Sequence, residues 1–197
     1  MCTCVGWYAV GFSRRCLGEV LSNLREHGAE GVIIGSTTYQ LKLGWKELQD
    51  DVDLFATSFS PSFDEDLLLE AADRLSCFVG RTSWDTPQLR CSIDDCEVIV
   101  EFYENIYDFY VPAEIVKDAD EEDLDGFRAK VIKVEDYALL KAKAGRGRDL
   151  EDLRFLGDLV KSGKLKLNKD LIRDRVALFD PEDRGFILRR LHESGII

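Results

Sequence analysis

The chain has 197 residues, with 38 Asp and Glu against 26 Lys and Arg, a formal net charge of −12 and a sequence pI near 4.7. This length is enough to bury a good core and to form one domain with an appendage or two small domains. The acidity argues against broad, nonspecific nucleic-acid binding, which draws on a positive surface, and leaves a local basic site open.

No stretch of the sequence is apolar for long enough to span a bilayer, and the segment from Met1 to Trp7 lacks a basic region followed by an apolar core. We therefore expect no membrane partner and a cytoplasmic location. The sequence holds three Asn, three Gln and one Met among many charged residues, which indicates a thermophilic source.

The six cysteines lack the close pairs and histidine partners of a zinc site, since His27 and His192 are far apart in sequence. Cys91 and Cys96 flank a predicted hairpin turn and could lie opposite one another. Disulfides do occur in intracellular proteins of thermophiles, but the favoured interpretation is buried, reduced thiols. The six positions are Cys2, Cys4, Cys16, Cys77, Cys91 and Cys96.

The first predicted helix begins at Ser13, a candidate N-cap, and ends before Gly28. A short β-branched strand over 32–34 follows. It leads to a turn at Gly35, which can take backbone angles closed to other residues, and Ser36 can cap the next helix.

Two carboxylates mark the strand after that helix, within the segment 51–54. Because side chains along a strand repeat with period two, Asp51 and Asp53 point to the same face, about 7 Å apart. Asp53 lies between apolar residues, where an unpaired carboxylate is costly unless a metal or a cation meets it. The pair could therefore share a divalent metal ion. The competing interpretation is a turn closed by Gly35 and a solvated acidic loop at Asp50 and Asp51.

A helix, a loop and a β-hairpin are predicted to complete the first half of the chain. The second hairpin strand, 96–103, carries Glu101 where the pattern calls for an apolar or a functional residue. Glu101 is therefore the candidate third carboxylate of the metal site. Glu97, Asp94 and Asp95 compete for that role, but they lie at or near the turn, where a charged residue needs no explanation.

The second half of the chain is predicted to be mainly helical. The acidic run 118–125 is interpreted as a solvated connection, and a short strand is expected over 131–134. A helix then begins at Glu135 and breaks at Gly145, and Asp149 is expected to cap the next helix. Two further helices are predicted before the end of the sequence.

This order of elements predicts an α/β (α+β) fold, in which a small mixed β-sheet has helices packed on one face and is followed by a helical C-terminal region. The predicted units are residues 1–117, an acidic linker over 118–130, and a mainly helical subdomain over 131–197.

These parts match what the transfer of a nucleotidyl group needs. A triphosphate requires backbone N–H donors and a positive helix end, which the turn at Gly35 and Ser36 can supply. Two magnesium ions about 3.5–4 Å apart require carboxylates that converge from neighbouring strands. Asp51 and Asp53 would be two of these carboxylates.

The segments 34–36 and 51–54, separated by fourteen residues, resemble the hallmark of the nucleotidyltransferase superfamily, which is hydrophobic-Gly-Ser followed by Asp-hydrophobic-Asp-hydrophobic. That superfamily includes polymerase beta and the minimal, abortive-infection-type nucleotidyltransferases of prokaryotes. The segment 136–153, in which a helix Lys is followed by Arg and by an Asp-x-x-Asp helix start, resembles the C-terminal region of the prokaryotic members. The resemblance spans residues 31 to about 156.

The resemblance implies a polymerase beta-like fold, with residues 1–117 as the catalytic domain, and Mg²⁺ or Mn²⁺ as the cofactor. The implied catalytic and metal-binding residues are Asp51, Asp53 and Glu101. The implied nucleotide-binding residues are Gly35, Ser36, Thr37, Lys141, Arg146 and Arg148. In the competing interpretation, the Lys and Arg of this set are surface charges and the aspartates near them are helix caps.

The implied reaction moves a nucleoside monophosphate from an NTP, such as ATP, to a hydroxyl or phosphate acceptor and releases pyrophosphate. The acceptor is open between an RNA end, a protein and a small molecule. Family precedent also allows a toxin with an antitoxin protein partner. The alternative from a different class is a catalytically silent member that binds NTP or a protein partner, and the presence of all three carboxylates argues against it.

Overall fold

The computed structural model describes residues 11–106 and 108–197. In these residues the chain forms nine β-strands and eight α-helices. In chain order they are β1 (Phe12–Ser13), α1 (Arg14–Glu26), β2 (Gly31–Ile33), α2 (Thr37–Lys42), β3 (Glu47–Leu48), β4 (Val52–Ala56), α3 (Glu65–Leu75), β5 (Phe78–Arg81), β6 (Pro87–Ile93), β7 (Cys96–Tyr103), α4 (Ala113–Lys117), β8 (Asp120–Asp123), β9 (Arg128–Val131), α5 (Val134–Ala144), α6 (Gly147–Lys161), α7 (Lys169–Val176) and α8 (Pro181–Glu193).

Seven strands form one sheet in the order β5-β6-β7-β4-β2-β9-β8, and β1 pairs separately with β3. Strand β4 is parallel to β7 and β2 is parallel to β9, whereas the other neighbours in the sheet are antiparallel. The predicted mixed sheet with a helical C-terminal region is therefore confirmed. No helix in the described ranges is both long and apolar enough to cross a membrane.

The two faces of the sheet pack against different helices. On one face, Leu17 of α1 and Leu68 of α3 share a hydrophobic cluster with Phe102 of β7. On the other face, Val32 of β2 and Phe55 of β4 belong to a second cluster, which also contains buried residues of α4 to α8. The C-terminal helices therefore cover only part of that second face, on the side of β2 and β4.

The first helix forms where the sequence predicts it. The Ser13 hydroxyl accepts a hydrogen bond from the backbone N–H of Cys16, 3.2 Å away, and so satisfies a donor in the first turn of the helix. Gly28 follows the helix with a φ of 83°, a conformation that glycine adopts without a steric cost.

The acidic run differs from its prediction as a solvated connection. Residues 120–123 form the edge strand β8, which pairs with β9 and so extends the sheet by one strand. Arg128 and Lys133 meet the run, with Nη1 of Arg128 3.2 Å from Glu121 and Nζ of Lys133 3.0 Å from Asp120. Opposite charges across an exposed edge thus allow an acidic segment to form a strand. The strand expected over 131–134 is β9 at 128–131, and the division of the chain into three units stays a prediction.

The favoured assignment of reduced thiols is wrong for four cysteines, because Cys16 is bonded to Cys96 and Cys77 to Cys91. Cys91 and Cys96 do not face each other. In the hairpin register, Cys91 lies opposite Val98 and Cys96 lies opposite Ile93. Each of the two is instead bonded to a cysteine outside the hairpin, Cys96 to Cys16 in α1 and Cys91 to Cys77 just after α3. Cys2 and Cys4 lie outside the described residues.

Candidate active site

A row of polar side chains crosses three neighbouring strands. Asp53 of β4 lies beside Glu101 of β7 in the parallel register, and Glu101 lies opposite Gln88 of β6. The next residues along these strands, Leu54 and Phe102, are buried in the cluster that packs against α1 and α3. Because strand side chains alternate between faces, Asp53, Glu101 and Gln88 lie on the face away from that cluster.

The Glu101 carboxylate has two hydrogen-bond donors. Nε2 of Gln88 donates to Oε1 at 2.7 Å, and the Tyr103 hydroxyl donates to Oε2. Burial raises the pKa of Tyr103, and the negative charge of Asp53 raises it further, so the phenol keeps its proton. Glu101 is thus fixed in orientation beside Asp53.

The carboxylates of Asp51 and Asp53 have no hydrogen-bond or ion-pair partner within residues 11–106 and 108–197. Burial, followed by the charge of Glu101, raises the pKa of Asp53 to about 7. Burial and the same charge also raise the pKa of Asp51. The three carboxylates therefore repel one another when ionised, and a divalent cation would relieve that repulsion. Carboxylate oxygens are also the donors that Mg²⁺ prefers.

The donor set of Asp51 and Asp53 therefore fits a magnesium ion. Across the described ranges, however, no three acidic, Cys or His side chains lie close enough together to hold a metal. Glu101 is adjacent in the sheet, but its carboxylate is engaged by Gln88 and Tyr103. The role of Glu101 as a third metal ligand stays a prediction.

The turn at Gly35 lies directly against the Asp53 carboxylate. A Cβ atom added to Gly35 would lie 2.1 Å from Oδ2 of Asp53, so only glycine fits there. The backbone N–H of Ile34 donates to the Asp53 carbonyl at 2.9 Å, which ties the turn to β4. The glycine is thus required by close approach to a carboxylate.

The turn also presents free donors. The backbone N–H groups of Gly35, Ser36 and Thr37 have no acceptor among the described residues. Ser36 occupies the N-cap position of α2, as predicted, but within the described residues its side chain makes no capping hydrogen bond; its hydroxyl instead accepts from Nε2 of Gln40. Because α2 has only six residues, its helix dipole is small, and an anion at this turn would be bound mainly by the three N–H groups.

Lys141 of α5 lies between two carboxylates of α6. Its Nζ atom is 3.2 Å from Oδ1 of Asp149 and 2.8 Å from Oδ2 of Asp152. It is also near enough to Asp53 to oppose the rise in the pKa of that residue. Lys143 instead lies 3.9 Å from Asp183, on another side of the helix.

The two arginines lie at the start of α6. Arg146 binds Asp149 through Nε at 2.7 Å, and the Arg146 backbone N–H donates to the same carboxylate. Burial alone would raise the pKa of Asp149, but the bond from Arg146 and the charge of Lys141 lower it. Asp149 is thus the third residue of α6 and not its N-cap. Arg148 is largely exposed, with Nη2 3.8 Å from Asp50.

The competing acidic residues of the hairpin lie away from Asp53. Asp94 and Asp95 form the turn between β6 and β7, and Glu97 pairs across the strands with Ser92 and lies 3.8 Å from Nη1 of Arg90.

Two residues that hold Glu101 are absent from the sequence prediction, Gln88 in the row and Tyr103 beside it. Both could have been found by counting. Tyr103 is two residues beyond Glu101 on the same strand face, and a two-residue turn at Asp94 and Asp95 sets a register that brings Gln88 opposite Glu101.

Comparison with known proteins gives a family and a fold. The model of the family described as "Nucleotidyl transferase of unknown function" matches residues 13–193. A search of curated proteins found no match.

Among solved structures, the chain is similar to an antigenic nucleotidyltransferase-like protein from Paracoccidioides brasiliensis, with 14% identity, a TM-score of 0.55, and coverage of 93% of this chain and 90% of that one. It is also similar to ANT(2″)-Ia in complex with adenylyl-2″-tobramycin, with 15% identity, a TM-score of 0.46, and coverage of 91% and 97%. A third is a putative nucleotidyltransferase from H. pylori, with 15% identity, a TM-score of 0.43, and coverage of 93% and 95%.

The family match covers most of the chain, and the first of these structures, with a TM-score of 0.55, shares its fold. The chain therefore belongs to the nucleotidyl transferase family that this model describes, and it has the nucleotidyltransferase fold.

Proposed function

We propose that the protein is a magnesium- or manganese-dependent nucleotidyltransferase that uses an NTP, such as ATP, and releases pyrophosphate. One observation carries the proposal. The carboxylates of Asp51 and Asp53 have no partner among the described residues, and that of Asp53 adjoins a turn whose N–H groups at Gly35, Ser36 and Thr37 have none there either. Negative oxygens that need a cation beside donors that need an anion suit a metal–triphosphate complex.

The triphosphate would lie between this turn and the start of α6. Lys141, Arg146 and Arg148 supply positive charge there, and Lys141 is close enough to affect the pKa of Asp53. Lys141 and Arg146 are now held by Asp149. A bound phosphate would compete with the Asp149 carboxylate for Lys141 and Arg146, because charge-assisted hydrogen bonds to phosphate and to carboxylate are of similar strength.

The reaction would join the acceptor oxygen to the α-phosphorus of the NTP. The bond from that phosphorus to the bridging oxygen breaks, and pyrophosphate leaves with the electron pair. The acceptor hydroxyl loses its proton to a carboxylate, for which Glu101 is the candidate because Gln88 and Tyr103 fix its orientation. Magnesium, when bound, would neutralise the phosphate oxygens and stabilise the attacking and leaving oxygens.

A specific observation favours the second candidate, a silent NTP-binding or protein-binding member. The Glu101 carboxylate is already hydrogen-bonded, and Lys141 is already paired with Asp149 and Asp152. These contacts would be retained if the site only bound nucleotide. The toxin role with an antitoxin partner, the cytoplasmic location and the thermophilic source stay predictions.

Labelled NTPs with magnesium, added to an extract that contains RNA, protein and metabolites, would separate the two candidates. Transfer of label to an acceptor is expected, and NTP binding without any transfer would support the silent member.

The Glu101→Gln variant tests the catalytic assignment, with Glu97→Gln as the matched control on the same strand. We expect Glu101→Gln to keep its NTP·Mg affinity and to lose about 10²–10⁴-fold in turnover, the range for loss of a positioned general base. Wild-type turnover in Glu101→Gln would exclude this residue from the reaction.

A further inference from the structure

Lys141 shares one carboxylate oxygen with a buried tyrosine. Oδ2 of Asp152 lies 2.8 Å from Nζ of Lys141 and also accepts a hydrogen bond from the Tyr137 hydroxyl, 3.2 Å away. Among the residues that the structure describes, no other group donates to the Asp152 side chain. Tyr137 and the lysine that is proposed to bind phosphate therefore hold the same atom.

Tyr137 is the donor in its contact with Asp152. The tyrosine is fully buried, and burial raises the pKa of its hydroxyl. The negative charge of Asp152 raises that pKa further, so the phenol keeps its proton. Tyr137 can therefore donate to Asp152 with or without Lys141.

The ring of Tyr137 packs among the helices around the nucleotide site. It lies one turn before Lys141 on α5, and the Lys141 ammonium is 5.5 Å from the ring centroid, within range of a cation–π contact. It also packs against Tyr39 of α2, with centroids 5.7 Å apart, and the Tyr39 ring lies 5.5 Å from that of Phe155 in α6. A change that removes the hydroxyl and keeps the ring therefore leaves this packing in place.

The second carboxylate beside Lys141 also has another donor. Asp149 accepts a hydrogen bond from the backbone N–H of Arg146 at 3.0 Å, in addition to the bond from the Arg146 side chain. If a triphosphate binds both cationic side chains, Asp149 keeps this backbone donor and Asp152 keeps Tyr137. Both carboxylates would then remain hydrogen-bonded, which matters because a carboxylate that is shielded from water and has no donor is costly.

We propose that Tyr137 is a positioning residue for nucleotide binding, whose hydroxyl satisfies Asp152 when Lys141 turns to the triphosphate. The inference rests on the proposed nucleotidyl transfer and concerns a residue that acts through Asp152 and Lys141. Without the hydroxyl, the movement of Lys141 to phosphate leaves Asp152 with no donor from the described residues. Because the Asp152 side chain is only 24% exposed, water replaces part of the lost bond, and the triphosphate binds more weakly.

The test is calorimetric titration of a nucleotide that cannot react. The α,β-methylene analogues of ATP, GTP, CTP and UTP are titrated with magnesium into the wild-type protein, and the analogue that binds most tightly is kept as the probe. We expect Tyr137→Phe to bind this probe about 3- to 30-fold more weakly, the range for a hydrogen bond to a charged group that water partly replaces. Tyr110→Phe removes the hydroxyl of a tyrosine that is 46% exposed and should bind the probe within about 2-fold of wild type.

Two double-mutant cycles separate positioning from a structural role. In the Lys141→Ala background there is no lysine to exchange, and in the Asp152→Asn background there is no carboxylate charge to satisfy. Tyr137→Phe should therefore change probe affinity by less than about 2-fold in either background. A purely structural effect of Tyr137, through its packing on Tyr39, would persist in both. Each cycle is sufficient alone, so a background that binds too weakly to measure leaves the other to decide.

Thermal melting of each variant establishes that it is folded before titration. Equal probe affinity in folded Tyr137→Phe and wild type would overturn the proposal, and so would a loss that persists in the Lys141→Ala or Asp152→Asn background. These outcomes leave metal-dependent nucleotide binding intact and contradict this inference alone. A wild-type protein that binds none of the analogues would instead contradict the proposed function.

Discussion

Lys141 and Lys143 lie two residues apart on α5 and meet different partners. Lys141 lies between Asp149 and Asp152, near Asp53, whereas Lys143 lies near Asp183. We expect Lys141→Ala to weaken NTP binding by about 10- to 100-fold, because a charge-assisted contact to phosphate is lost. Lys143→Ala is the matched control and should bind NTP within about 2-fold of wild type, since its lost charge faces elsewhere. Equal affinities by calorimetry would remove α5 from the nucleotide site.

Gly35 provides a steric test of the same site. Its missing Cβ would lie 2.1 Å from Oδ2 of Asp53, so Gly35→Ala should displace that carboxylate and weaken magnesium-dependent NTP binding by about 10-fold or more. Gly185→Ala is the control, since a Cβ there meets no atom of the described residues within 4 Å and the position is helical. The control should gain about 0.5–1 kcal/mol in stability and keep its NTP affinity. An active Gly35→Ala protein would show that Asp53 is not needed in its present position.

Asp136 is a fully buried carboxylate whose two oxygens have no hydrogen-bond partner in the part of the chain that the structure describes. Burial raises its pKa to about 6, although the charge of Arg175, whose Nε is 3.7 Å away, opposes this. Because the pKa is higher in the folded than in the unfolded chain, the stability that this group contributes is present below about pH 4 and is lost as the pH rises towards 6. Ionisation then costs about 2–3 kcal/mol.

We therefore expect Asp136→Asn to raise the free energy of unfolding by about 1–3 kcal/mol at pH 7.5, and by less at pH 5. Urea unfolding at the two pH values measures both effects. A change that is the same at pH 5 and pH 7.5 would show that the charge of Asp136 is not what destabilises the fold.

The hairpin of β6 and β7 is joined to the helices on its inner face by two disulfides. Cys16 to Cys96 joins α1 to the start of β7 across a sequence separation of 80, and Cys77 to Cys91 spans 14. In the chain-entropy model such loops contribute about 4–5 and about 3 kcal/mol. We expect a reducing agent to lower the melting temperature, and Cys96→Ser to lower it more than Cys91→Ser under oxidising conditions. A melting temperature that does not respond to reductant would contradict both bonds.

An element can be predicted from the sequence when the residues that determine it are close together along the chain. The helix after Ser13 and the hairpin over 87–103 follow from local periodicity and caps, and both are confirmed. Strand β8 could not be predicted from its acidic composition, because its pairing depends on the basic residues of a neighbouring strand. The disulfides depend on contacts across 80 residues, which no local pattern contains.

Within the candidate site, period two along β4 predicts that Asp51 and Asp53 share a face, and the register of β4 with β7 then brings Glu101 beside Asp53. The parallel pairing of these strands is a property of the whole sheet, which single-strand patterns do not contain. The hydrogen bonds that hold Glu101 and the ion pairs that hold Lys141 were also beyond prediction, since they depend on side-chain positions in three dimensions.

In the whole molecule, the sheet and the C-terminal helices meet at the candidate site. There the carboxylates of Asp51 and Asp53, which have no partner among the described residues, lie near the Gly35 turn and near the cationic Lys141, Arg146 and Arg148. Calorimetric titration of NTP, with and without magnesium, into wild type and Asp53→Asn tests most directly whether this is a metal–nucleotide site. We expect wild type to bind NTP only with magnesium, and Asp53→Asn to bind it at least about 10-fold more weakly. Because burial and Glu101 raise the pKa of Asp53 to about 7, the metal-free variant should be as stable as wild type or more stable at pH 8. NTP affinity that does not depend on magnesium, or a metal-free Asp53→Asn protein that melts far below wild type, would contradict the proposed site.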